Sequence, residues 1–186
     1  MTFEEIIAEI KSDTATTPII IAIEGYGGSG KSTVAEMLKQ ALGVAQVINI
    51  DDFIIKDKLT DRSPDKVGFD RDRLEKEVLI PATTGQPVTY HRLEWEQNKL
   101  SDPIKVPDSD YLIIEGISAF HPAIASYYDY KIWIETPIEV AKQRGKLRDA
   151  GNENEQHWDL WAENDLAYQQ KYHPERYADF IFDNEV

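Results

Sequence analysis

The stretch PIIIAIEGYGGSGKST, residues 18–33, decides the fold. Its five consecutive apolar residues, Ile19 to Ile23, read as a strand covered on both faces, because a half-exposed strand alternates apolar with polar side chains. A glycine-rich turn follows at once, and TVAEMLKQAL beyond it has apolar positions at helical spacing, predicting a helix over 33–42. Gly25, Gly27, Gly28, Ser29, Gly30, Lys31, Ser32 and Thr33 fall in the pattern G-x-x-x-x-G-K-[ST] and the residue after it. Strand, loop and helix in that order make a phosphate cradle. Glycines let successive N–H groups curl around one phosphate, and the helix N-terminus adds its positive dipole. The pattern assigns Lys31 to the β and γ phosphates and the Ser32 hydroxyl to Mg²⁺. The plain alternative is a glycine turn that joins strand to helix and holds no ligand.

Four further apolar runs resemble the first: VINI at 47–50, YLIIE at 111–115, YKIWIE at 130–135 and DFIF at 179–182. Helical spacing over 71–80, 138–149 and 157–170 separates most of them, and a short amphipathic helix with Phe3, Ile6, Ile7 and Ile10 is expected to pack on the sheet's edge. The expected architecture is α/β: an open, mostly parallel five-stranded sheet with helices on both faces, of the P-loop nucleoside triphosphate hydrolase type. At 186 residues the chain reads as one domain, 1–186. Residues 56–70 and 81–108 lack periodicity and read as long loops, which in a compact domain are usually functional.

Composition narrows the partners. With 34 acidic against 20 basic side chains, net charge −14, a broad nucleic-acid or anionic-membrane surface is disfavoured, so an anionic ligand needs a local cationic pocket. No cysteine is present, which removes disulfides and thiolate metal sites and favours a reducing compartment. The acidic start MTFEEIIAEIKSD is unlike a signal peptide, and no run approaches the ~20 apolar residues of a membrane span. A soluble, cytoplasmic protein is expected.

Several side chains are candidates for chemistry. Glu115 ends the strand YLIIE, where a carboxylate of this architecture sits near the metal; a merely solvated strand end is the alternative. Asp51 and Asp52 end VINI on the carboxyl side of the sheet, where one of them can accept a proton from a substrate hydroxyl or simply cap a turn. Alternation along an extended strand sends the two to opposite sides, so at most one is a base. Arg144 and Arg148, four apart on one helical face ahead of DAGNENEQ, can meet a transferred phosphoryl group from a lid-like segment, 144–157, or pair with neighbouring acids. DKVG at 65–68 and NKLS at 98–101 do not make a GTPase switch. The histidines, 91, 121, 157 and 173, show no metal-ligand spacing, and Trp158 and Trp161 read as packing residues.

From about residue 18 to 184 the chain resembles the uridine kinase family, which belongs with phosphoribulokinase and bacterial pantothenate kinase. The resemblance rests on GYGGSGKST, INIDDF, GFDRDRLEKEVLIPATTGQPVTY, IIEGISAF, YDYKIWIETP, RGKLRD and RYADFIFDN. It implies ATP and Mg²⁺, a base at Asp51, metal contacts from Ser32 and Glu115, a substrate hydroxyl held by Asp70, and Tyr90 beside a nucleobase; Asp51 is a further candidate for the metal. Ile54 stands where that family has an aromatic, Trp95 replaces an expected histidine, and AGNENEQ replaces an arginine-rich lid. The expected partners are a nucleotide and a small-molecule hydroxyl acceptor taken up by the 56–108 loops. The reading is an ATP-dependent, uridine kinase-like nucleoside kinase. Two alternatives stay open: a kinase for a pantothenate-like or sugar-like acceptor, with His91, Arg92 and Trp95 shaping the pocket, and a nucleotide-binding module without turnover.

Overall fold

The computed structural model describes residues 2–14, 18–58, 61 and 63–184. Five strands, β1 Ile19–Glu24, β2 Ala45–Asn49, β3 Tyr111–Glu115, β4 Tyr130–Glu135 and β5 Phe180–Asp183, form one sheet in the order β2-β3-β1-β4-β5. Every adjacent pair is parallel. Parallel neighbours cannot be joined by a tight hairpin, so the chain crosses back between strands, by helices everywhere except from β3 to β4, where only a 3₁₀ turn, Ala125–Tyr127, intervenes. The helices are α1 Phe3–Ser12, which precedes β1, α2 Lys31–Leu42, α3 (Arg71–Leu74, a π turn Glu75–Leu79, then Ile80–Thr83), α4 Ile138–Arg148 and α5 Trp158–Tyr172.

All six residues of β1 are buried, and their alternation builds two cores. Ile19, Ile21 and Ile23 face Val34, Leu38 and Leu42 of α2 together with Ile6 and Ile10 of α1. Ile20 and Ala22 face Phe53, Leu74, Val78 and Leu79. Each fully buried Ile or Leu contributes about 1.5–3 kcal/mol relative to exposure. α1 therefore lies on a face of the sheet and not at its edge as expected, since Ile6 and Ile10 need a partner surface. A capping box starts it, with Glu5 N–H donating to Thr2 Oγ1 and Thr2 N–H to Glu5 Oε2.

Three boundaries differ from expectation. The second strand ends at Asn49, and Ile50–Phe53 is a 3₁₀ turn because the Asn49 side chain caps it, accepting from Asp51 N–H at 2.7 Å. The helix expected over 71–80 runs on to Thr83, its π turn lying just ahead of Pro81, which cannot donate to the helical ladder. Within 81–108, two short antiparallel pairings occur, Thr89–Tyr90 with Ile104–Lys105 and Leu93–Glu94 with Lys99–Leu100.

α4 meets α5 at Gly145. A Cβ there would fall 2.2 Å from the buried Trp158 ring, so only glycine permits the approach. Trp158 Nε1 donates to Asp149 Oδ2 at 2.9 Å, which ties the turn after α4 to the start of α5. No helix among the described residues is long and apolar enough to cross a membrane.

Candidate active site

The sheet register brings three strand ends level: Glu115 pairs with Ile23 on one side and with Asn49 on the other. The loop leaving β1 therefore starts beside the carboxylate that ends β3. Gly28 (φ +81°) and Gly30 (φ +96°) adopt left-handed backbone, and a Cβ on Gly28 would lie 2.1 Å from the Ala141 carbonyl oxygen. Gly25 crowds differently, its Cβ position lying 2.9 Å from the Ile134 carbonyl oxygen. Ser29 is buried in the turn, while Thr33 is exposed in the first turn of α2.

Lys31 is buried, and its ammonium donates to the Tyr26 carbonyl at 2.8 Å across the mouth of the loop. Burial lowers its pKa, while Glu115, Asp165, Asp51 and Glu24 oppose that shift. Ser32 Oγ donates to Glu115 Oε1 at 2.9 Å, and Asn49 Nδ2 donates to the same oxygen at 2.6 Å. Burial raises the Glu115 carboxyl above its ordinary range, with Lys31 and the Ser32 hydroxyl pulling it back.

Among the described residues no group of three or more His, Asp or Glu could hold a metal alone. Magnesium does not require one: it keeps several waters and takes one or two carboxylates together with substrate phosphates. The Ser32 hydroxyl, together with the carboxylates of Glu115 and the neighbouring Asp51, which repel each other around one lysine, fits such an ion.

Asp51 and Asp52 face apart, but the 3₁₀ turn separates them and not strand alternation. Asp51 is reachable by solvent yet crowded by protein on most sides, and this loss of water raises its carboxyl pKa. Lys31 and Arg148 act against the rise, and Asp52 adds to it. Asp52 accepts from the Tyr90 hydroxyl at 2.9 Å. Tyr90 is buried and stacked on Phe53 at 5.6 Å, so its hydroxyl is committed to the turn.

Asp70 caps α3, accepting from Arg73 N–H at 3.1 Å. Arg73 is the organiser of this side, and nothing in the sequence pattern singled it out. Its guanidinium donates to the Asp52 carbonyl at 2.9 Å and to the His91 carbonyl, and lies 4.5 Å over the Phe53 ring. Arg92 is exposed, with its charge felt at Asp52 and Tyr90. Trp95 is exposed, and its carbonyl accepts from Lys56 Nζ at 2.8 Å.

The two arginines expected to act together part company. Arg148 is bound by Asp149 at 2.9 Å, lies 5.4 Å over Trp158 and is within electrostatic reach of Asp51. Arg144 turns to the C-terminal end, donating to the Asn184 carbonyl at 3.0 Å. Asn184 Nδ2 in turn donates to the Ser29 carbonyl at 2.7 Å, so Arg144 supports the phosphate loop from behind.

Residues 20–182 match the Phosphoribulokinase / Uridine kinase family. The chain belongs to that family. A uridine kinase from Geobacillus kaustophilus is 26% identical over 183 residues, covering 88% of this chain and 85% of that protein. "Uridine kinase-like protein 4" of Arabidopsis thaliana is 30% identical over 148 residues, 74% of this chain; the match spans only 31% of that longer protein. A solved structure described as a "possible uridine kinase" from Bacillus stearothermophilus superimposes with a TM-score of 0.71 at 19% identity, covering 97% of this chain and 96% of that one. That likeness is one of fold.

In this family member the loop also meets residues that motif reading passed over. Gly27 N–H donates to Asp165 Oδ2 of α5 at 2.8 Å, and Asp165 Oδ1 pairs with Lys66. Glu24 ends β1 almost fully buried; its Oε2 accepts from Phe120 N–H at 2.8 Å and its Oε1 has no hydrogen-bond partner. Burial pushes its carboxyl up to about 7 despite the Phe120 N–H, the Tyr168 hydroxyl, Lys31 and Lys66. A lone buried Glu at a strand end has no periodic signature. Asn49 could have been read as a cap, because it precedes two acids and follows an apolar run.

Proposed function

We propose that the chain is an ATP- and Mg²⁺-dependent kinase that transfers the γ-phosphoryl group to a hydroxyl of a small molecule, with a nucleoside as the first acceptor to test. One observation carries the reading: Lys31, Ser32, Glu115 and Asp51 converge where β1, β2 and β3 end, with a single lysine meeting the field of several carboxylates. A phosphate cradle alone would not need an acid opening to solvent beside Lys31. In the proposed reaction the acceptor oxygen forms a bond to the γ-phosphorus, the bond from that phosphorus to the ADP oxygen breaks, and the hydroxyl proton passes to Asp51. Lys31 neutralises phosphate charge. Ser32 and Glu115, with Asp51 beside them, would hold Mg²⁺, which when bound would offset charge on the phosphates. Arg148, near Asp51, closes over the transferred group as part of the 144–157 segment.

A second acceptor class is supported by the acceptor side. Tyr90 spends its hydroxyl on Asp52 and Trp95 is exposed, so a pantothenate-like or sugar-like alcohol is the next candidate. Coupled ADP release over uridine, cytidine, pantothenate, glycerate and sugar alcohols tests both. Acceptor-dependent release abolished by Asp51→Asn is the expected result. ATP binding without release from any acceptor would point to a module without turnover.

A further inference from the structure

The phosphate loop already carries an anion from its own chain. Asp165 is almost wholly buried, and one of its oxygens sits on the Gly27 amide while the other holds the Lys66 ammonium. The side chains of Lys66 and Asp165 are 10% and 4% exposed, so this is a buried pair and not a surface bridge. Breaking one partner of such a pair is costly, and its retention calls for a reason.

Lys66 is held there deliberately by the surrounding geometry. Its backbone is left-handed at φ +51°, unfavourable for a lysine, and Arg71 fixes the segment by donating to the Asp65 carbonyl at 2.8 Å and the Lys66 carbonyl at 3.1 Å. The Asp65 side chain is gripped from α5 by Lys171 and Tyr172. Lys66 lies four residues before Asp70, in the acceptor-side segment. Its ammonium is one carboxylate away from the glycine-rich loop, since the Asp165 that holds it also accepts from Gly27 N–H.

We infer that Lys66 is a second phosphate-contacting cation, parked on Asp165 until the terminal phosphate of the nucleotide displaces the Asp165 carboxylate from Gly27 N–H and Lys66. This rests on the reading of the chain as an ATP-using kinase. A carboxylate and a phosphate oxygen ask for the same donors, so the exchange leaves Gly27 N–H and the lysine satisfied in both states, and the displaced Asp165 carboxylate must turn out of the site toward water. It also supplies positive charge that the arginine-poor segment after Arg148 lacks.

Calorimetry of ATP and ADP, each with Mg²⁺, on the wild-type protein and on Lys66→Met, Lys66→Arg and Asp165→Asn tests it. Lys66→Met should weaken ATP binding about tenfold or more while changing ADP binding much less, because ADP lacks the terminal phosphate. Lys66→Arg should restore the preference for ATP. Asp165→Asn should tighten ATP several-fold, having removed the competing anion. If Lys66 only pins α5 to the loop, Lys66→Met will lower the melting temperature and leave the ATP-to-ADP ratio as in wild type, which overturns the inference. So does weaker ATP binding in Asp165→Asn. Should Lys66→Met not fold, the Arg and Asn variants decide alone. Absence of ATP binding in the wild type would refute the kinase reading and this inference together, whereas wild-type binding lost in Lys31→Ala but indifferent to Lys66 refutes only the latter.

Discussion

Replacing Glu24 by Gln should stabilise the protein, and more at high pH than at low. The carboxyl is almost fully buried, with one oxygen on Phe120 N–H and the other unpartnered, and burial raises it from the ordinary 4.5 to about 7. The folded chain thus holds this proton more tightly than the unfolded chain. Between about pH 4.5 and 7 stability falls as pH rises, and above pH 7 the full penalty of a buried carboxylate remains. The gap from 4.5 to about 7 corresponds to about 3 kcal/mol at pH 8 and to about 1 kcal/mol at pH 5.5. Glutamine imitates the protonated acid: its carbonyl can keep the Phe120 N–H, and its amide can donate to the neighbouring Tyr168 hydroxyl. Urea unfolding of both proteins at pH 5.5 and 8 isolates the effect, since every other titrating group is common to the pair. The advantage of Glu24→Gln should narrow by about 2 kcal/mol from pH 8 to 5.5. An advantage that is the same at both pH values, or a Gln variant less stable at pH 8, would refute the argument that burial dominates over Lys31 and Lys66 at this carboxyl.

Asp51→Asn should cut turnover by about 10² to 10⁴, and Asp52→Asn by much less, as read from acceptor-dependent ADP release; the reverse order would move the base to Asp52. Because burial raises the Asp51 carboxyl and a base must be ionised, turnover should fall on acidification through a limb lying above the ordinary Asp value of 3.8, and a kcat–pH profile of wild type lacking that limb counts against the assignment. Lys31→Ala should abolish productive ATP use with the fold intact by circular dichroism, and unchanged affinity and turnover would remove the phosphate-loop assignment. Gly145→Ala drives a methyl into the Trp158 ring and should lower stability by about 1–3 kcal/mol in denaturant titration; a neutral result would mean that α4 and α5 separate freely.

Sheet and loop were readable along the chain because their determinants are local. Continuous burial on both faces writes itself as IIIAI, and a phosphate turn needs glycines and a lysine at fixed spacing, so both survive in a single window. The position of Asp51 and Asp52 was readable, but their geometry was not: one capping side chain, Asn49, turned a strand end into a 3₁₀ turn. Arg144 and Arg148 share a helical face in sequence, yet the tail at Asn184 claims one and the turn at Asp149 the other.

The amino-acid sequence by itself determined the alternating α/β order, the glycine-rich loop after the first buried strand and the family to which the chain belongs. Only the tertiary structure decided which charges surround that loop. Asp165 stands 138 residues from Gly27 and 99 from Lys66, and no periodicity relates them. Their meeting follows from the packing of α5 against the loop through Trp158 and from the hold of Arg71 on the Lys66 backbone. Electrostatic neighbours are set by distance in space, whereas strands and helices are set by neighbours along the chain, and burial magnifies the first only after the second has formed.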